Sequence, residues 1–326
     1  MSDPDDEFSF LAEQAAEAGV DGPLPRGERL NLSLADGRSL SALRYGHPDD
    51  APDGPVVTFL HGAGLNAHTW DATIVALGLP ALAIDLPGHG DSSWRDDAAY
   101  VGRVLAPDIA AGLEAWTARP QLLVGHSLGG LTAAAVSASR PDLVDELVVI
   151  DITPGIDLNG GAAQLRQFFA GPTDWASRDE LVERALAFGL GGTRRATERG
   201  VFFNSRVRTD GRVEWKHHFA HLAAAAANAS PTDASAAVSA GDSTEPGEPD
   251  ALAAILGEAG WEDLAAVAAP VTLLRGERGY LTDSDVAEFR DRLPEARVET
   301  FPTGHNVQEE QPVLLGERLR AFVPVS

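Results

Sequence analysis

The sequence of 326 residues contains no cysteine, one methionine and, at position 216, a single lysine. Without cysteine the chain cannot form disulfides, thiolate zinc sites or a cysteine nucleophile, and its composition suits a reducing cytosol. Basic residues are also scarce, because 25 lysines and arginines stand against 49 aspartates and glutamates, a formal net charge of −24. Such a chain repels phosphate backbones and anionic lipid surfaces, so we expect neither nucleic acid nor a membrane as partner.

Long apolar runs are absent as well. No stretch approaches the ~18 apolar residues that a membrane-spanning helix needs. The first residues, Met1 to Glu7, are acidic and lack the basic start of a secretory signal. We therefore expect a cytoplasmic protein. Its 326 residues are enough to bury a full α/β core together with an insertion or a second domain.

Short apolar runs alternate with helical patterns along most of the chain. An edge hairpin is predicted on both sides of the turn Asp36-Gly37. After it, continuous apolar runs at 56–60, 81–84, 121–124, 146–150 and 271–274 indicate buried strands. Strands joined by helices form parallel sheets with right-handed crossovers. The fold class predicted is therefore α/β, with a mostly parallel, doubly wound sheet.

The same pattern divides the chain into three parts. Residues 1–27 are predicted to be an acidic, flexible arm with one short helix over Phe8 to Ala18. Residues 28–154 and 263–326 carry the α/β pattern, and residues 155–262, where strict alternation lapses, form an inserted, mainly helical cap. Inside the cap, residues from about 223 to 250 are rich in Ala, Ser, Pro and Glu and have few large apolar side chains, which predicts a flexible segment.

The most informative stretch is Gly125-His126-Ser127-Leu128-Gly129, which follows an apolar run and opens a helix-forming one. A strand, then G-x-S-x-G, then a helix is the order in which a nucleophile elbow occurs. The glycines relieve crowding around a serine held at strained dihedral angles. The backbone N–H of Leu128, at the start of the helix, could then stabilise an oxyanion. Alone, the motif could equally be a glycine-rich turn with an incidental serine.

Four motifs in order carry a family resemblance: His61-Gly62-Ala63-Gly64, the run Asp85 to Gly90, the elbow with Gly130, and Gly304-His305-Asn306. Each follows a predicted strand, and together they resemble the α/β-hydrolase superfamily. The resemblance implies that His305 is the catalytic base and that the Ala63 N–H is the second oxyanion donor beside Leu128. It assigns Asp85 and His89 to the architecture.

The catalytic acid is the member of the set that departs from the family pattern. Many relatives carry it in a Gly-acid-x-Asp turn, and here Gly279 stands at the position of that aspartate. The resemblance to a small esterase-like subgroup with an Asp-Ile-x-Pro signature points instead to Asp151, which directly follows a buried strand. We expect Asp151 to be the acid. The alternatives are Glu277, Asp283 and Asp285, and in that case Asp151 would cap a helix at the start of the cap.

The resemblance implies a serine hydrolase that cleaves a carboxylic ester or thioester of a small, largely apolar substrate through an acyl-enzyme. It requires no cofactor or metal, and the chain would act as a monomer or homodimer. Ser127 argues against epoxide hydrolases and haloalkane dehalogenases, which need an aspartate there. A carbon–carbon bond hydrolase, a lactonase and, because of Gly279, a non-catalytic ligand-binding protein remain alternatives. An apolar wall for the substrate is expected from the cap aromatics Trp175, Phe202, Phe203, Trp215 and Phe219.

Overall fold

The computed structural model of the protein describes residues 7–46, 54–156, 168, 171–188, 192–228 and 259–323. Eleven strands lie in these ranges. They are β1 Arg26–Ser33, β2 Ser39–Gly46, β3 Val57–Leu60, β4 Ala81–Asp85, β5 Gln121–His126, β6 Val144–Ile150, β7 Asp174–Trp175, β8 Ser205–Val207, β9 Val213–Trp215, β10 Val271–Gly276 and β11 Arg297–Phe301.

Helices separate most of the strands. In the described ranges the α-helices are α1 Leu11–Ala18, α2 Asp71–Leu77, α3 Gly102–Trp116, α4 Leu128–Ser139, α5 Arg178–Ala187, α6 Arg194–Asn204, α7 Phe219–Asn228, α8 Gly260–Ala266, α9 Asp283–Arg292, α10 Val307–Glu310 and α11 Pro312–Arg320. Short 3₁₀ helices cover Ala67–Trp70 and Pro141–Leu143. None of the described helices combines the length and the apolar character needed to cross a bilayer.

Eight strands form the main sheet in the order β1-β2-β4-β3-β5-β6-β10-β11. The hairpin β1–β2 lies at one edge, and β2 also pairs antiparallel with β4. All other pairs are parallel, so the predicted mixed, mostly parallel sheet is confirmed. Every residue of the inner strand β5 is buried. Because parallel strands end at the same edge, the loops after β3, β5, β6, β10 and β11 come together there.

Both faces of the sheet are covered, as a doubly wound fold requires. On one face, α3 and α4 contribute Leu105, Ile109 and Val136 to a core that includes Leu123 of β5. On the other face, helices α1, α2 and α11 contribute to a second core that includes the neighbouring β5 residue Val124. Side chains of successive strand residues point to opposite faces, so a strand buried on both sides is apolar throughout.

The N-terminal arm packs against the rest of the domain from residue 7 onward, in contrast with the flexible segment predicted from its composition. Leu11 and Ala15 of α1 are buried. Glu7 forms a 2.6 Å ion pair with Arg29 of β1. Glu13 bonds Arg195 in the cap at 2.8 Å. Acidic side chains of the arm, Glu7 and Glu13, therefore pair with arginines, while Leu11 and Ala15 are buried.

The cap contains the predicted helices and also a small sheet. Ser177 caps α5 by accepting the Glu180 N–H, as the sequence pattern predicts. The antiparallel sheet β7-β9-β8, with strands of two or three residues, is not predicted. Residues 223–228 belong to α7, so the predicted start of the flexible segment at 223 is too early. The remainder of that segment, from residue 229, lies outside the described residues.

Candidate active site

Ser127 occupies a sharp turn between β5 and α4. Its backbone dihedrals, φ 52° and ψ −121°, lie where non-glycine residues are rarely found. A Cβ added at Gly125 would lie 2.3 Å from the Gly129 carbonyl oxygen, and one added at Gly129 would lie 2.3 Å from the Leu60 oxygen. Only glycine fits at either position, as the elbow motif predicts. Strain concentrated at one polar residue is typical of functional sites.

The same turn makes Ser127 accessible. From residue 121 to residue 137 every residue is buried except Ser127. Its N–H donates to the Ile150 carbonyl of the neighbouring strand at 3.0 Å, which anchors the turn to β6. Leu128 is the first residue of α4, so its N–H takes no part in the hydrogen bonds inside the helix. A reacting carbonyl at Ser127 would therefore meet an available backbone donor.

His305 and Asp151 form a hydrogen-bonded pair at this edge of the sheet. The distance from His305 Nδ1 to Asp151 Oδ2 is 2.7 Å. Asp151 follows β6 with φ 49° and is fully buried. Its carboxylate also accepts the N–H of Gly276 at 2.9 Å and that of Tyr280 at 2.7 Å. With Nδ1–H donated to the carboxylate, Nε2 is the ring nitrogen that can take a proton.

The three alternative acids lie elsewhere. The Glu277 side chain is exposed. Asp283 is 95% exposed and pairs with Arg275 at 2.7 Å. Asp285 closes the capping box of α9 with Thr282. Of the four carboxylates considered from the sequence, the structure thus brings only Asp151 to His305.

The structure also explains the glycine at position 279. A Cβ added to Gly279 would lie 2.1 Å from Asp151 Oδ2 and 2.3 Å from Oδ1. The carboxylate of Asp151 therefore fills the space that a side chain at 279 would need. A side chain at 279 would displace the carboxylate from this position, so a glycine at 279 agrees with a carboxylate at 151.

His126 holds the loop that carries His305. Its Nε2 lies 3.0 Å from the His305 carbonyl oxygen, and the two rings are 4.5 Å apart. Burial lowers the pKa of His126 well below its usual value, so its ring is neutral and Nε2–H donates to that carbonyl. In the same loop, Gly304 N–H donates to Glu310 at 2.9 Å. A positioning role for His126, beside the serine, is not predicted from the sequence.

The loop after β3 lies against the elbow. A Cβ on Gly62 would be 2.7 Å from His126 Nδ1 and 3.3 Å from Ser127 Cβ, so the loop with Ala63 passes next to the serine. His61 fixes this loop, since Nδ1–H donates to the Gly62 carbonyl at 2.8 Å and Nε2 accepts the Leu86 N–H at 3.0 Å. Burial lowers the pKa of His61 to about 4, so the ring is neutral at neutral pH.

Asp85 and His89 connect loops, in agreement with the architectural role expected of them. Asp85 is almost fully buried and accepts the Ala67 N–H at 2.8 Å and the Asp91 N–H at 3.1 Å, and it pairs with Arg29 at 3.0 Å. His89 is fully buried and its Nδ1–H donates to the Pro87 carbonyl at 3.2 Å. Both side chains therefore hold the loop after β4 in place.

Comparison with known proteins identifies the family. A family model described as the alpha/beta hydrolase family matches residues 59–317. The esterase Rv0045c of Mycobacterium tuberculosis is 37% identical over 98% of this chain and 96% of its own length. The mouse sn-1-specific diacylglycerol lipase ABHD11 is 26% identical over 82% of this chain and 81% of its own length.

Solved structures agree with these matches. A structure of the Rv0045c esterase has a TM-score of 0.77 and 36% identity, covering 98% of this chain and 99% of that one. The fold is shared with E-2-(acetamidomethylene)succinate hydrolase, which has a TM-score of 0.73 at 20% identity and covers 91% of this chain and 99% of that one. The α/β-hydrolase resemblance carried by the four motifs and the esterase-like resemblance are confirmed, and the chain belongs to the alpha/beta hydrolase family.

Proposed function

We propose that this hydrolase cleaves a carboxylic ester or thioester of a small, largely apolar substrate through an acyl-enzyme on Ser127. The observation that carries the proposal is the 2.7 Å contact between His305 Nδ1 and the buried Asp151 carboxylate, at the sheet edge where Ser127 is accessible. The similarity to the Rv0045c esterase over nearly the whole chain supports ester cleavage.

In the first half of the reaction, His305 Nε2 takes the proton from Ser127 Oγ while the oxygen attacks the carbonyl carbon. The carbonyl π bond opens, and the N–H groups of Ala63 and Leu128 stabilise the oxyanion. The tetrahedral intermediate then collapses and breaks the bond to the leaving group. The alcohol or thiol departs with the proton that His305 returns.

In the second half, water takes the place of the alcohol or thiol. His305 removes a proton from water, the hydroxide oxygen attacks the acyl carbon, and collapse releases the acid and restores the Ser127 hydroxyl. Asp151 keeps the imidazole in the tautomer with Nδ1–H and stabilises the imidazolium formed in each half. Its own backbone hydrogen bonds hold the carboxylate in position.

The cap aromatics contribute to the proposed apolar environment mainly through the packing of the cap. Trp175, Phe203, Trp215 and Phe219 are buried, and the Trp175 and Trp215 rings meet edge to face at 5.6 Å. Phe202 alone among the five is partly exposed. Its ring packs against Phe10 of the arm at 5.4 Å and lies 4.9 Å from the Arg178 guanidinium, so these aromatics support the proposal as part of the cap core.

A fluorophosphonate probe tests the proposal, since it reacts with activated serines. The folded wild-type protein should be labelled and Ser127→Ala should not be. A panel of p-nitrophenyl esters of increasing chain length, matched thioesters and lactones then defines the substrate class. An unlabelled, folded wild type would instead support a non-catalytic ligand-binding protein.

We also propose a cytoplasmic protein that acts as a monomer or homodimer. The lack of cysteine supports this location, because it suits a reducing compartment. Cell fractionation and light scattering on the purified protein are the corresponding tests. Recovery with the membrane fraction, or a mass larger than a dimer, would contradict it.

A further inference from the structure

The Tyr280 side chain touches the candidate base through the face of its ring. The centroids of the Tyr280 and His305 rings are 3.6 Å apart and their planes differ by 10°. The backbone N–H of the same residue donates to Asp151 Oδ2 at 2.7 Å. Tyr280 therefore contacts both members of the His305–Asp151 pair.

We propose that Tyr280 is a positioning residue that fixes the plane of the His305 ring and stabilises its imidazolium form. The proposal rests on the proposed function, because the imidazolium forms only if His305 acts as the base. It adds a residue that neither the motif pattern nor the family resemblance indicates.

Two of the described aromatic rings contact the His305 ring: the His126 ring is tilted by 51° at 4.5 Å, and the Tyr280 ring lies parallel to it at 3.6 Å. The His126 ring holds the His305 carbonyl, and Glu310 holds the Gly304 N–H. These bonds fix the backbone. Asp151 binds one atom of the ring, which permits the ring to tilt about that hydrogen bond. A parallel aromatic face 3.6 Å away removes this freedom.

The stacking geometry favours a charged histidine. Two neutral aromatic rings avoid a close face-to-face arrangement, because their negative faces repel each other. A cation over an aromatic face is attracted to it. The contact therefore gains strength when His305 takes a proton, which is the change that accompanies attack by Ser127. An interaction stronger in the transition state than in the ground state raises kcat.

Several titratable and charged groups surround His305. Asp151 accepts its Nδ1–H from the end of β6, and His126 of β5 stays neutral because of its burial. Glu310 of α10 pairs with Arg278 beside Gly304 at 3.3 Å. Tyr280 is itself uncharged, since burial and the Asp151 carboxylate raise the pKa of its hydroxyl. The effect of its ring on the base is thus separable from a change in formal charge.

The test compares Tyr280→Leu with Tyr280→Phe on an ester that the wild type hydrolyses. Leucine keeps apolar bulk but has no ring, and we expect kcat/KM to fall about tenfold, mainly through kcat. The acid limb of the pH profile of kcat/KM should move to lower pH by about half a pH unit or more, because the imidazolium has lost a stabilising partner. Phenylalanine keeps the ring, so it should retain the wild-type rate and profile.

Pentafluorophenylalanine at position 280 separates charge stabilisation from shape, since it conserves the ring but reverses the sign of its face. We expect it to shift the acid limb as leucine does. If its profile matches that of Tyr280→Phe, imidazolium stabilisation is refuted. This variant also keeps the proposal testable if Tyr280→Leu does not fold.

The two proposals fail in different ways. A folded wild type without hydrolysis or labelling would contradict the proposed function. An active wild type together with a Tyr280→Leu variant of unchanged kcat/KM and unchanged pH profile would overturn only the role of Tyr280. A large loss in Tyr280→Phe would also overturn it, because the hydroxyl and not the ring would then be the important group.

Discussion

Gly279→Ala is the substitution whose effect follows most directly from the geometry of the site. Its Cβ would lie 2.1 Å from Asp151 Oδ2, whereas Cβ atoms do not approach other heavy atoms closer than 3.0 Å. The carboxylate must therefore move by about 1 Å, or the loop must move with it. A backbone effect does not contribute, because Gly279 does not adopt the left-handed conformation that favours glycine.

The displacement would weaken three hydrogen bonds together. Asp151 accepts from Gly276 at 2.9 Å, and from Tyr280 and His305 at 2.7 Å. A shift of about 1 Å takes such bonds beyond the usual range. Misplacement of this size in a catalytic group costs about 10²-fold in rate, or about 2.7 kcal/mol of transition-state stabilisation. We expect kcat/KM for ester hydrolysis to fall by that factor with KM little changed.

Gly200→Ala provides the matched control. Gly200 lies in α6, and a Cβ added there meets nothing within 4 Å. Alanine should leave kcat/KM unchanged and stabilise the helix by roughly 0.5–1 kcal/mol. Steady-state kinetics on both variants, with thermal unfolding to verify folding, form the assay. Wild-type kcat/KM in a folded Gly279→Ala enzyme would refute the conclusion that catalysis depends on the Asp151 carboxylate in this position.

Two further predictions concern the acid and the buried histidines. Asp151→Asn should lower kcat by about 10⁴-fold while Glu277→Gln stays within about twofold of wild type; equal losses in steady-state assays would place the acid elsewhere. Burial lowers the pKa of His61 to about 4, and burial together with His61 lowers that of His89 to about 3. As the pH falls below 6.5, these histidines bind protons in the unfolded chain before they do in the folded protein. The free energy of unfolding should therefore fall by about 2 kcal/mol for each of the two histidines between pH 8 and pH 5. In His68 the effect of burial is outweighed by the carboxylates of Asp71 and Glu7, which raise the pKa to about 9. Its folded form binds the proton more tightly than the unfolded chain does, so it offsets roughly one of these losses. Urea denaturation at the two pH values measures the difference, and a gain in stability at pH 5 would contradict it.

The strained turn at Ser127 could be predicted because its signals are local. Gly125, Ser127 and Gly129 are close in sequence, and each glycine is required by a contact within that turn or with the neighbouring strand. Asp151 could be proposed because it follows a strand, and β6 pairs with both β5 and β10. The ends of these strands meet, so an acid after one of them can reach a histidine after another.

Contacts that depend on loop conformation could not be predicted in this way. The Tyr280 ring and the His305 ring come from different loops, and nothing in the sequence places one over the other. The short distance between position 279 and the Asp151 carboxylate also depends on loop conformation. The glycine at the family's acid position is the one sequence feature that agrees with it. The cap strand β7 has two residues, too few for a periodic pattern. In the arm, the acidic composition indicated a solvated segment, although Leu11 and Ala15 are buried against the domain.

The central claim is that Ser127 carries the acyl group during turnover. The direct measurement is to quench the enzyme with acid during hydrolysis of a slowly deacylating p-nitrophenyl ester and to map the acylated peptide by mass spectrometry. We expect an adduct of the acyl mass on Ser127 in the wild type and none in Ser127→Ala. An acyl adduct on another residue, or turnover retained by Ser127→Ala, would contradict the account.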